Sequence, residues 1–172
     1  MPRAKSSQPD PLPIDSPNRR RLPILLRRAW YGLNQTFRRR IAHLGVTPDQ
    51  FTAMRTILEG GDEGVFQSAL TLQMASDPNT IASLLERMSK AGLIERQVHE
   101  MDRRAYRIRM RAAGQEKYEA ARVIALELQH ELLIGVPEAD REKFLEMLAT
   151  VADTCHELAR TEHKRPKGSG GT

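Results

Sequence analysis

The stretch from Leu72 to Gly114, LQMASDPNTIASLLERMSKAGLIERQVHEMDRRAYRIRMRAAG, constrains the fold more than any other part of this 172-residue chain. It orders a short helix, a turn, a capped second helix and a small basic hairpin. Asp77 is suited to the N-cap of the second helix, because its carboxylate can accept from the free N–H groups of the first turn. Pro78 follows at the first helical position, where a missing N–H costs nothing. Ile81, Leu84, Leu85 and Met88 recur at helical spacing and define one buried face. Gly92 lies just past the last of them and fits a left-handed C-cap. Asn79, Ser83, Glu86 and Lys90 point away from the apolar stripe, with Thr80 and Arg87 at its flanks. Short polar residues near a helix N-terminus suit contact with base edges. Alone, such a face equally fits a solvated amphipathic helix, so the residues downstream of Gly92 decide the reading.

Those residues form a hairpin. Leu93–Val98 reads as a strand, Met101-Asp102-Arg103 as a turn, and Tyr106, Ile108 and Met110 then alternate with Arg107, Arg109 and Arg111. A period of two marks a half-buried strand, and here its outward face is all arginine. From Glu100 to Arg111 five arginines (103, 104, 107, 109, 111) face two acids, Glu100 and Asp102. A charged edge can serve only to discourage aggregation. Placed directly after a recognition-type helix, it reads better as a wing that touches phosphates and a groove. Helix-turn-helix plus wing is a device for placing one helix in the DNA major groove.

At these residues the chain resembles the MarR family of bacterial transcription regulators. The Asp102-Arg103-Arg104 turn, with Met110 eight residues and Gly114 twelve residues after Asp102, is similar to that family's wing signature. Thr80-Ile81, Leu84, Met88 and Gly92-Leu93 match its recognition-helix pattern, and the likeness extends in outline from about Leu22 to about Leu158. Arg111 stands where the family usually has a threonine that caps the next helix, and Met110 replaces a leucine. A blunter start to that helix is the expected consequence.

The composition agrees with an anionic partner. The formal charge is +5 and the pI about 9.7, although the excess is uneven: residues 1–40 hold ten Lys/Arg and two acids, residues 41–172 seventeen and twenty. The wing is therefore the better evidence. Residues 1–21, with five prolines, read as a flexible arm. Leu22 to Leu44 reads as a long helix with a stripe of Leu22, Leu26, Trp30, Leu33, Phe37, Ile41 and Leu44. Thr47-Pro48 starts a second helix marked by Phe51, Met54, Ile57 and Leu58. Val65–Ala75 gives the first helix of the helix-turn-helix, with room for a very short strand ahead of it. After the wing, Tyr118, Ala121, Ile124, Ala125, Leu128, Leu132 and Leu133 mark a helix from about Ala112 to Ile134. Phe144, Leu145, Leu148, Val151, Ala152 and Leu158 mark another from Glu138 to about Arg160.

These terminal helices carry more apolar surface than a small lobe needs, and a second copy of the chain is the simplest cover for it. The expected fold is mainly α with a small β-hairpin wing, a winged helix-turn-helix lobe plus a helical dimerisation lobe. The expected divisions are an arm (1–21), an N-terminal dimerisation helix (22–46), the DNA-binding lobe (47–111), C-terminal dimerisation helices (112–163) and a disordered tail (164–172). The five histidines show no metal-ligand spacing, and no nucleophile or phosphate-loop motif is present, so neither enzyme activity nor a cofactor or metal is expected. The single cysteine, Cys155, reads as a small apolar residue buried on its helix. No apolar run is long enough to span a membrane and no secretory pattern is present, so the expectation is a cytoplasmic protein.

The expected function is a dimeric repressor of its own or an adjacent gene, bound to double-stranded DNA at a pseudo-palindromic operator. Asn79, Thr80, Ser83, Arg87 and Lys90 would face the major groove, Arg103 and Arg104 would serve the wing, and Asp102 would steady one of them. The resemblance further implies release by a small, often aromatic or phenolic effector, with Trp30, Asn34, Phe37, Phe51 and Arg55 as candidates for its pocket; the competing view makes the aromatics of this set plain core. The alternative function is a winged-helix protein-interaction adaptor, against which the arginine-rich hairpin argues.

Overall fold

The computed structural model describes residues 21–98 and 106–164. The arm up to residue 20, the tail from residue 165, and Asp102, Arg103 and Arg104 lie outside the described residues. Helix α1 (Leu22–Ile41) opens with Pro23 in its first turn and runs into a 3₁₀ turn at Ala42–Leu44. Helix α2 (Pro48–Glu59) starts at Thr47, whose hydroxyl accepts from the Gln50 N–H (3.2 Å) while the Gln50 side chain accepts from the Thr47 N–H (2.9 Å). This reciprocal capping box satisfies two otherwise free donors. Strand β1 (Val65–Phe66), helices α3 (Gln67–Gln73) and α4 (Pro78–Lys90), strands β2 (Ile94–Val98) and β3 (Tyr106–Met110) and helices α5 (Ala112–Leu133) and α6 (Arg141–Lys164) follow.

The helix expected over Val65–Ala75 is shorter at both ends. Val65 and Phe66 pair with Ile108 and Arg107, so the hairpin becomes a three-stranded antiparallel sheet in the order β1-β3-β2. At the other end the helix closes in a Schellman motif: Ser76 N–H donates to Thr71 C=O and Ala75 N–H to Leu72 C=O (3.2 Å each). Ala75 takes the left-handed position of that motif, at φ 47°.

The core lies where α1, α2, α3, α4, α5 and the sheet meet. Ile41, Met54, Ile57, Leu70, Ile81, Leu85, Met88, Ile94 and Ile108 are fully buried there. Each such side chain contributes roughly 1.5–3 kcal/mol by leaving water. The C-terminal half of α1 (Phe37, Ile41) and the start of α5 (Gly114, Tyr118, Ala121) belong to this same core. Gly114 is there for space: a Cβ would lie 2.1 Å from the Leu93 carbonyl oxygen. Leu128 of α5 is buried in this core too, but many other apolar residues of the long helices are not covered. Leu22, Trp30 and Leu33 of α1, Leu132 of α5, and Phe144, Leu148 and Leu158 of α6 are exposed. Cys155 is also exposed, against the expectation of burial; none of the described side chains of α6 is buried. Among the described residues no helix is long and apolar enough to cross a membrane.

Candidate nucleic-acid interface

Helix α4 is held at both ends as its residues dictate. Asp77 accepts from the N–H groups of Asn79 (3.0 Å) and Thr80 (2.9 Å), and also from the Thr80 hydroxyl. The Thr80 hydroxyl and then the backbone N–H groups hold the Asp77 carboxyl below the usual carboxylate range, since bonds to the charged form favour it. At the far end Gly92 sits at φ 71°. Its N–H donates to Ser89 C=O and the Leu93 N–H to Met88 C=O, 3.0 Å each. The second Schellman motif turns the chain straight into β2.

Ile81, Leu84, Leu85 and Met88 are buried, and Asn79, Thr80, Ser83, Arg87 and Lys90 are all exposed. Two of the five have prior engagements. The hydroxyl proton of Thr80 is committed to Asp77, which makes this residue part of the cap. Lys90 Nζ sits 2.7 Å from Glu86 Oε1, and that ammonium holds the Glu86 carboxyl below its ordinary range. Asn79, Ser83 and Arg87 form the least encumbered part of the face.

The hairpin arginines are less free than the alternating pattern implies. Arg107 donates from Nη1 to the Glu63 carbonyl (3.2 Å) and carboxylate (3.3 Å), and its guanidinium lies 5.3 Å from the centre of the Phe66 ring. Arg109 is half-buried and Arg111 exposed. Arg96 donates to the Gln67 side chain at 3.4 Å. Alternation places the strand faces correctly but is silent about Glu63, 44 residues away from its partner. Arg111 precedes α5 and provides no side-chain cap bond, in line with the missing threonine.

The residues expected around a pocket separate into two groups. Phe37 and Phe51 meet edge to face (centroids 5.0 Å apart, 72°), and Phe51 stacks on Tyr118 (5.2 Å, 16°). Phe37 is buried, so this trio is core for much of its surface. Asn34, one turn before Phe37, has a buried side-chain oxygen with no hydrogen-bond donor among the described residues. Trp30 is 63% exposed, and Arg55 is paired with Glu59 at 2.9 Å. Tyr118, the third ring, is legible in the sequence as a stripe residue and not as an aromatic partner.

A model of the MarR family matches residues 44–105, from the end of the 3₁₀ turn after α1 through the helix-turn-helix to the hairpin. Across that stretch the chain is similar to the MarR family. The transcriptional regulator HosA of Escherichia coli O127:H6 is 27% identical over 135 residues, spanning 76% of this chain and 98% of HosA. The S. aureus MepR–DNA complex shares the fold at a TM-score of 0.73 and 19% identity, over 79% of this chain and 99% of MepR. CouR from Rhodococcus jostii RHA1, bound to p-coumaroyl-CoA, does so at 0.68 and 21%, over 76% and 91%. The matched stretch runs through the whole of α4.

Proposed function

We propose that the protein is a dimeric, sequence-specific DNA-binding regulator that represses its own or an adjacent gene and is released by a small aromatic or phenolic ligand. The observation that carries the DNA-binding part is the exposed face of α4, polar and cationic along Asn79, Ser83 and Arg87, set by caps at both ends and followed at once by the hairpin. Residues 47–111 read DNA, and residues 22–46 and 112–163 join two copies in the cytoplasm. Asn79, Thr80, Ser83, Arg87 and Lys90 face the major groove; Arg103 and Arg104, steadied by Asp102, serve the wing. The protein acts by binding and catalyses nothing.

The dimer is supported by α6. None of its described side chains is buried, although Phe144, Met147, Leu148 and Leu158 are large and apolar. A helix of that composition needs a partner surface, and a two-fold copy would place two α4 helices about one DNA turn apart. The effector is supported by the orphan oxygen of Asn34, one helical turn from an aromatic trio. A buried acceptor without a donor is costly, and a phenol or protonated acid would supply one. MepR complexed with DNA is consistent with the DNA-binding part, and CouR bound to p-coumaroyl-CoA with the effector.

The test is selection of bound genomic fragments followed by fluorescence anisotropy on the enriched duplex. Arg87→Ala is expected to weaken binding and to lower the salt dependence by about one counterion. Unselective binding that disappears with modest salt would remove the regulator reading. For the effector, aromatic acids are expected to raise the Tm and displace DNA, and less so in Asn34→Leu.

A further inference from the structure

Two arginines of the hairpin grip the start of α3 from opposite faces of the sheet. Phe66 is at once the last residue of β1 and the N-cap of α3, and Gln67 is the first residue of α3. Arg107 stands opposite Phe66 in the β1–β3 register. From there it holds Glu63 through two hydrogen bonds and lies over the Phe66 ring. Arg96 stands opposite Ile108, the residue next to Arg107, and therefore on the other, buried face, because successive side chains of a strand alternate. It reaches Gln67, and its charge also acts on Glu86 of α4. The hairpin and the helix-turn-helix are thus tied at the 66–67 junction by one cation from each strand. Because β1 spans two residues, its ladder alone is a weak attachment.

We infer that Arg107 is a positioning residue for DNA binding and not a phosphate contact: anchored on Glu63 and Phe66, and matched by Arg96 on Gln67, it fixes the angle between the hairpin and the helix-turn-helix. This rests on the DNA-binding reading above. Arg107 is suited to the work because a guanidinium can bond in its plane while its face covers a ring. Its side chain is only 27% exposed, whereas that of Glu63 is 84% exposed. A cation already matched by a carboxylate has little net charge to offer phosphate, so it releases few counterions on binding DNA.

Glu63→Gln separates the two roles by sign, at an exposed site where folding should not suffer. If Arg107 contacted phosphate, removing its carboxylate would free it, and binding would tighten with a steeper salt dependence. As a brace, the variant binds the selected duplex more weakly, by about threefold, with the salt slope unchanged. Arg107→Gln is expected to weaken binding about tenfold, again without change of slope; a lost phosphate contact would flatten the slope by about one. Arg107→Lys, which keeps the charge and loses the planar fork, is expected to rescue only part of the affinity. A measurement free of DNA accompanies these: amide exchange over 106–110 should quicken in Glu63→Gln while α2 and α5 stay as in the parent. Tighter binding, unmoved affinity or unmoved exchange in that variant overturns the inference. A parent protein that selects no duplex removes the DNA-binding reading itself, and the positioning role with it.

Discussion

Ala75 sits in the left-handed region at φ 47°, where a Cβ costs roughly 1–2 kcal/mol and glycine costs little. Gly92 fills the matching position after α4 at φ 71°, so the two turns of the motif differ in one residue type. Ala75→Gly is expected to stabilise the fold by about 1 kcal/mol, read as a higher urea midpoint at unchanged m-value. Gly114→Ala should do the opposite. Its new methyl would meet the Leu93 carbonyl at 2.1 Å and the Met110 sulfur at 2.7 Å, and overpacking of this kind costs about 2 kcal/mol. Single residues with strictly local duties were legible in the sequence. Asp77, Pro78 and Gly92 act within a few residues of themselves, and the structure uses them as their chemistry indicates. Ala75 was not legible, because an alanine carries no mark of a left-handed backbone.

At the scale of elements, α5 has a defect and a clamp. Its N-cap, Arg111, offers no side-chain acceptor to the first turn, and Arg111→Thr is expected to add about 1 kcal/mol. Further along, Arg40 of α1 donates two hydrogen bonds to Glu131 of α5, at 2.8 and 2.7 Å. The hydrogen bond from Arg40 holds the Glu131 carboxyl below its ordinary range. A folded-state pKa that is depressed gives stability present above the unfolded value and lost as pH falls through the folded one. Glu131→Gln should therefore lower the urea midpoint at neutral pH, and the two proteins should converge as pH drops below the ordinary carboxylate range; a gap that persists in acid would show that the clamp is not ionic. The periodicity of α1, α2, α4 and α5 was readable because it is intrinsic to each helix. The contacts that orient elements were not: Arg40–Glu131, Lys117 on the Leu44 carbonyl (2.7 Å) and Arg107–Glu63 join residues 91, 73 and 44 positions apart. The very short strand expected ahead of α3 is present as β1, and what the same distance hid was its pairing with β3.

At the scale of the molecule, the exposed apolar rows on α1, α5 and α6 are the sequence's surplus seen in three dimensions. The proposed dimer predicts a sedimenting species of about twice 19.5 kDa. Leu148→Glu, on the uncovered face of α6, is expected to shift it to the monomer and to weaken DNA binding while α2 to α4 stay folded by circular dichroism. A monomeric parent at micromolar concentration would instead require those helices to close on their own chain. Sequence could show the surplus but not its partner, since the covering surface is the same sequence again. The central claim is that the face of α4 reads DNA. It is tested most directly by anisotropy on the duplex enriched from genomic fragments, titrated against competitor DNA and across salt, for the parent and for Ser83→Ala/Arg87→Ala. The account predicts saturable binding that survives competitor in the parent and loses its sequence preference in the double variant. Equal binding and equal preference in the two proteins would contradict it.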